Sequence, residues 1–229
     1  MLLFNLLQTE NDFLGMILML CAYVSALLLS LSFHEFAHAH AAFKEGDKTA
    51  KALGRYTLAP HAHIDFRGIF FLLIFGYGWA KPVPVDSRNF KRGKLSAFRV
   101  YSAGIFANLA IGILATAIYS AVLVFVPYVF ASNAYGAALS SFLEYMIILN
   151  FVYAFFNLLP FYAFDGYRLI ETFTKPNGKF VDFMRRYSFI ILLVCIFTGL
   201  IAAYVDLVPI NLANWIMEGF IELFSLMVI

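Results

Sequence analysis

The stretch FLGMILMLCAYVSALLLSLSFHEFAHAHAAF, residues 13–43, decides what kind of molecule this is. A helix that crosses a bilayer needs about 20 apolar residues, with a range of roughly 17–25. Phe13–Phe33 meets that need without one charged side chain, and the run continues to about Phe43. Inside the continuation stand His34, Glu35, His38 and His40. Ionisable groups in a membrane segment are costly and usually functional. The rest of the chain agrees with this setting. Of the 229 residues, 62% are apolar, only 13% are charged, and 27 are Phe. Soluble domains run near ~45–50% apolar and ~25% charged. A water-soluble core of this size cannot hide so much apolar surface, so the bilayer is the natural solvent. The formal charge of +2 is too small to point to nucleic acid.

Three more runs qualify as spans: Phe98–Phe130, Leu139–Leu159 and Tyr187–Val205. Gly68–Ala80 is too short to cross as a helix and reads as a re-entrant loop or β-hairpin packed against protein or a wet cavity. Pro209–Ile229 is long enough to cross, but Glu218 and Glu222 leave an interfacial helix open. All 16 Lys and Arg fall between Lys44 and Arg99 or between Arg168 and Arg186. If Gly68–Ala80 turns back, every one of them lies on a single side, which the positive-inside rule makes cytoplasmic. Cys21 and Cys195 sit in apolar runs without CxxC spacing, so neither a disulfide nor a thiolate site is expected. No cleavable signal peptide is expected either, because the first apolar run lacks a basic flank. The fold class is therefore an all-α polytopic membrane protein forming one domain over residues 1–229. Its core covers about 13–170, and C-terminal membrane helices about 187–229.

The chemistry starts at His34-Glu35-Phe36-Ala37-His38. Residues four apart share a helix face, so His34 and His38 can present both imidazoles to one metal ion. Glu35 is one step round and can reach a metal-activated water as general base. A catalytic zinc site needs a third protein ligand and an open position for water. Asp165 fits best: it follows a span that runs inward, like the one carrying the two histidines, and so arrives at the same depth. Pro160 disrupts the preceding helix and Gly166 permits close backbone approach. Glu144 lies nearer the outer side, and Glu171 lacks the flanking pattern. His40 is on another helix face, and His61 and His63 read as loop polarity.

HEFAH on the first core helix, with Asn157, Pro160 and Asp165-Gly166 after the third, resembles the site-2 protease family of intramembrane zinc proteases. The stretches between match in the same order: Gly54–Leu58, His61–Asp65, Gly78–Val85 and Ala103–Asn108. The resemblance covers roughly residues 30–170 and implies three core helices around a zinc ion, with no PDZ or other soluble domain. Ile105, Tyr167, Ala59 and Ala163 depart from residues common in the family. The resemblance also places Asn108 and Asn157 near the site, as substrate-binding or oxyanion donors, or, in the plainer alternative, as helix-to-helix hydrogen bonds.

These readings imply an intramembrane zinc endopeptidase holding one Zn2+ through His34, His38 and Asp165, with Glu35 as base. Its partners would be single-span membrane proteins and the lipid bilayer, with no nucleic acid, and its place a prokaryotic plasma membrane with basic loops and site opening cytoplasmic. Trp79–Val85, stiffened by Pro82 and Pro84, is expected to offer an edge to an unwound substrate strand. The alternatives are an inactive family scaffold or a metal transporter. Few polar groups in the outer halves of the spans argue against transport, and the intact ligand set and base argue against inactivity. Five His in all are too few for a di-iron membrane oxygenase.

Overall fold

The computed structural model describes residues 13–66, 68, 80–162, 164–175 and 178–228. Helix α1, Phe13–Lys44, is unbroken over 32 residues. It is rich in Leu, Met and Ala, which lose little rotamer freedom in a helix. At 1.5 Å per residue it is about 48 Å long, longer than the ~30 Å hydrocarbon layer. Helix α2, Lys94–Phe125, has the same length and ends just before Pro127. Helix α3, Ala134–Asn157, starts at Asn133, whose side chain accepts the N–H groups of Tyr135 and Gly136 at 3.0 Å. These three helices pack pairwise against one another and form the core.

Small residues let them approach. Ala26, Ala39, Ala42 and Ala154 are completely buried, as expected where close packing, not water, drives helices together. A Cβ on Gly112 of α2 would lie 3.1 Å from the Phe151 ring of α3.

After α3 the chain turns at Pro160 into the short helix α4, Asp165–Phe173, which packs on α2. Helix α5 is Lys179–Phe197. Helix α6, Leu200–Val205, runs through a π-helical turn at Asp206–Ile210 into α7, Asn211–Ser225. The π turn contains Pro209, which has no N–H for the regular ladder. Ala213 of α7 joins Ala26, Ala115, Met146, Ile147 and Phe151 in the apolar core.

This end of the chain departs from the sequence reading. Tyr187–Val205 is not one span: the helix stops at Phe197 and Gly199 takes the left-handed conformation at φ +77°. The Tyr162 N–H donates to Ser188 Oγ in the middle of α5, and Tyr204 just past the break donates to Phe155 O. Both points lie beside the same end of α3, so α5 does not carry the chain across. The fourth helix long and apolar enough to cross a membrane is Leu200–Ser225, of 26 residues. It travels beside α2, with Ser120 meeting Met217 and Phe125 packing on Phe224. The first three expected spans hold with shifted ends. Their helices together with Leu200–Ser225 make the molecule an all-helical, membrane-embedded protein, with no strand among the described residues.

Of Gly68–Ala80 only Gly68 and Ala80 are described, so the re-entrant or hairpin reading lies outside the described residues. Ala80–Asp86 is an irregular strap without helix, gripped by the loop after α1. The Lys81 N–H donates to His63 O at 2.9 Å, Arg55 Nη2 to Lys81 O at 2.6 Å, and the Asp86 N–H to Asp47 Oδ2 at 2.8 Å.

Candidate metal centre

His34 and His38 lie one turn apart on α1, about 15 and 9 Å before Lys44 by helical rise. Both face α2, and both are more than nine-tenths buried. That face of α2 is open at one residue, Gly104. A Cβ there would stand 2.5 Å from His34 Cε1 and 2.7 Å from His34 Nδ1, and nearer still to His38 Nε2. The two imidazoles therefore occupy the space that any other residue at 104 would fill.

Asp165 comes from the first turn of α4. Its approach requires Gly166, since a Cβ at 166 would overlap the Leu158 carbonyl. Burial opposes the charged form of Asp165, but the neighbouring His38 and His34 outweigh it and hold the carboxyl below the usual range.

The three donor atoms converge. His34 Nε2 and His38 Nε2 are 3.1 Å apart, and Asp165 Oδ2 is 3.3 Å from the first and 3.0 Å from the second. A tetrahedral zinc ion with ligands at about 2.0–2.1 Å separates neighbouring donors by about 3.3 Å. The protons complete the test. His38 Nδ1 faces Val100 O at 2.7 Å, an atom that can only accept, so its proton is on Nδ1. His34 Nδ1 faces Asn108 Oδ1 at 2.5 Å and carries its proton for the same reason. With both Nδ1 atoms engaged, the two Nε2 atoms are left facing each other and Asp165 Oδ2. Protons on Nε2 can bridge to the carboxylate, and once they leave, three donor atoms meet at one point, a set that fits a divalent metal. Among the described residues this is the one group of three or more potential ligands so arranged.

The cluster opens into a cavity of about 430 Å³ lined by Glu35, Tyr101, Tyr153, Asn157 and Arg168 among others. Glu35 is buried there, and its Oε2 accepts the N–H of Val83 from the strap at 2.7 Å. Asn157 lines the same cavity and donates to Tyr153 O of its own helix. Asn108 does not reach the cavity lining: it is completely buried behind His34, between α1 and α3.

The other histidines stay apart. His40 bonds Tyr56 Oη, and buried His63 bonds Thr57 O, which makes it part of the loop that grips the strap. The expected substrate edge fares less well within Lys81–Pro84. The N–H groups of Lys81 and Val83 are already engaged, and Pro82 and Pro84 have none.

Sequence reasoning missed Val100, Gly104 as spacer, Asn150 and the Val83–Glu35 contact. Gly104 stood inside a recognised motif, and Asn150 carried a signal that was passed over, a side-chain amide inside an expected span; Val100 and Val83 carry none, because a backbone carbonyl or N–H belongs to every residue.

The profile of peptidase family M50 matches residues 22–198. A protein of Bacillus subtilis (strain 168), described as "Putative zinc metalloprotease YwhC", is 37% identical over 203 residues, covering 88% of this chain and 90% of that protein. No solved structure matches.

Proposed function

The chain belongs to peptidase family M50, the site-2 proteases, and from that premise we propose that this metalloprotease is an intramembrane zinc endopeptidase. The observation that carries the reading is the convergence of His34 Nε2, His38 Nε2 and Asp165 Oδ2 at 3.0–3.3 Å beside a buried Glu35. A zinc ion held by these three supplies Lewis acidity to a water and to the scissile carbonyl. Glu35 takes one proton from the attacking water and returns it to the departing amide nitrogen, so that the C–N bond breaks into a carboxylic acid and an amine, and the acid then yields its proton to the amine. Val83 holds one oxygen of Glu35 and so limits its rotation. Asn157, on the cavity wall, is placed to donate to substrate backbone or to the charge developing on the carbonyl oxygen. Burial of the ligands keeps bulk water from competing.

The substrate class is transmembrane segments of single-span membrane proteins, locally unwound before attack. The bundle supports this: α1 carries the histidines inside a helix long enough to cross the bilayer. The end rich in Lys and Arg faces the cytoplasm of a prokaryotic plasma membrane.

Zinc content and cleavage of a model single-span substrate test the reading. Wild type should hold about one zinc and cut. Asp165→Ala should lose zinc and activity, and Glu35→Gln should keep zinc and lose activity. Full zinc without Asp165, or full activity without Glu35, would refute the assignments.

A further inference from the structure

We propose that Asn150, seated on Ser30, is a positioning residue for the metal centre: it fixes the amide of Asn108 and thereby the proton on His34 Nδ1. The inference rests on the metal reading of His34, His38 and Asp165. Asn150, Asn108 and Ser30 come from α3, α2 and α1 and are completely buried.

Their hydrogen bonds form a relay with one possible direction. Asn150 lies 2.7 Å from Met146 O, a carbonyl that can only accept, so its Nδ2 must point there. The same Nδ2 donates to Ser30 Oγ at 2.7 Å, and Ser30 in turn donates to Ala26 O at 2.7 Å. Asn150 Oδ1 is left to face Asn108, whose Nδ2 donates to it at 2.7 Å. A second carbonyl, Ser30 O, lies 3.3 Å from the same Nδ2. Asn108 Oδ1 is therefore the atom presented to His34.

Backbone carbonyls of Ala26, Ser30 and Met146 thus pin every direction in the chain. The consequence falls on the metal site. With Asn108 reversed, an N–H would face His34 Nδ1, the imidazole would carry its proton on Nε2, and the ligand lone pair would be lost. A reversed Asn108 would turn its amide oxygen towards Ser30 O, which can only accept, and a buried polar group left unpaired is costly. Metal ligands depend on such outer hydrogen bonds for orientation and basicity. Here the outer partner is itself a neutral amide, so a second amide is needed to choose its face.

The test measures zinc affinity of the detergent-purified full chain by competition with a chelator, together with the absorption spectrum of the cobalt-loaded protein. Asn150→Leu removes the relay and should weaken zinc binding about 10- to 100-fold, with an altered cobalt spectrum. Asn150→Asp should recover most of the affinity. In an apolar interior the acid stays protonated, offering its C=O to Asn108 and its O–H to Met146 O or Ser30 Oγ. Wild-type affinity in Asn150→Leu overturns the proposal. So does equal weakening by Leu and Asp, which would mean packing alone. If Asn150→Leu cannot be recovered, Ser30→Ala tests the same relay: a several-fold weaker affinity supports it, and no change overturns it. Wild type that binds no zinc would remove the metal reading, and this inference with it.

Discussion

Gly104→Ala is the sharpest perturbation the site allows, since it adds one methyl group. The new Cβ would stand 2.5 Å from His34 Cε1, where ordinary contact begins at 3.4 Å. A ring or a helix must give by most of an ångström. The neighbours cannot easily yield, because His34 is tied to Asn108 and His38 to Val100. Overpacking of this kind costs about 1–3 kcal/mol. Concentrated on the ligands, that corresponds to about 5- to 140-fold weaker zinc binding, at ~1.4 kcal/mol per tenfold. Zinc affinity measured by chelator competition, beside cleavage of a single-span substrate, reads the effect. Gly136→Ala is the control, in the first turn of α3, where the added Cβ would overlap the Val129 carbonyl and touch no ligand. It should lower thermal stability and leave zinc affinity alone. Wild-type affinity in Gly104→Ala, or equal losses in both variants, would refute the argument that position 104 makes room for the imidazoles.

Other consequences can be measured with the same protein. Val83→Pro removes the N–H that Glu35 accepts, a charge-assisted bond of about 1.5–3 kcal/mol. Cleavage should fall about tenfold or more with zinc retained, whereas Val83→Ala should behave as wild type; undiminished cleavage by the proline variant would show that the contact is idle. Asn157→Ala should cut turnover while zinc content stays, and loss of zinc instead would assign Asn157 to structure. Glu45, just past α1, is held below the ordinary carboxylate range by Ser96 and then Arg99 of α2. Its stabilising contribution is complete above about pH 4.3 and is lost as pH falls through the lower folded-state value. The advantage of wild type over Glu45→Gln in thermal unfolding should therefore narrow only in acid, and an advantage constant from neutral pH to about pH 3 would count against it.

How far the sequence carried the fold depended on the length of the pattern. Long runs such as Phe13–Phe33 were legible because lipid enforces a single answer, a helix about 20 residues long. Tyr187–Val205 was misread because a hydropathy run reports composition, whereas the left-handed turn at Gly199 is a local backbone choice. The site shows the same division. His34, Glu35 and His38 share one helix, so helical spacing alone brings them together. Asp165 was reachable by matching membrane depth, and Gly166 by the close approach that depth requires. Asn108 was singled out from its place in the membrane, but its partner was not, because a helix periodicity does not say which neighbour an amide meets.

By itself the sequence determined the solvent and the helical class, and it pointed to His34, Glu35, His38 and Asp165 as the candidate site. Each rests on local chemistry: apolar length, four-residue spacing and the scarcity of other ionisable groups at that depth. Tertiary structure alone decided that Gly104 opens α2 to the imidazoles, that Val83 meets Glu35, that Asn150 meets Asn108, and that Val100 meets His38. The hydrogen bonds among those contacts join residues from 42 to 62 positions apart. Their physical basis is the close packing of three helices, which no single segment encodes.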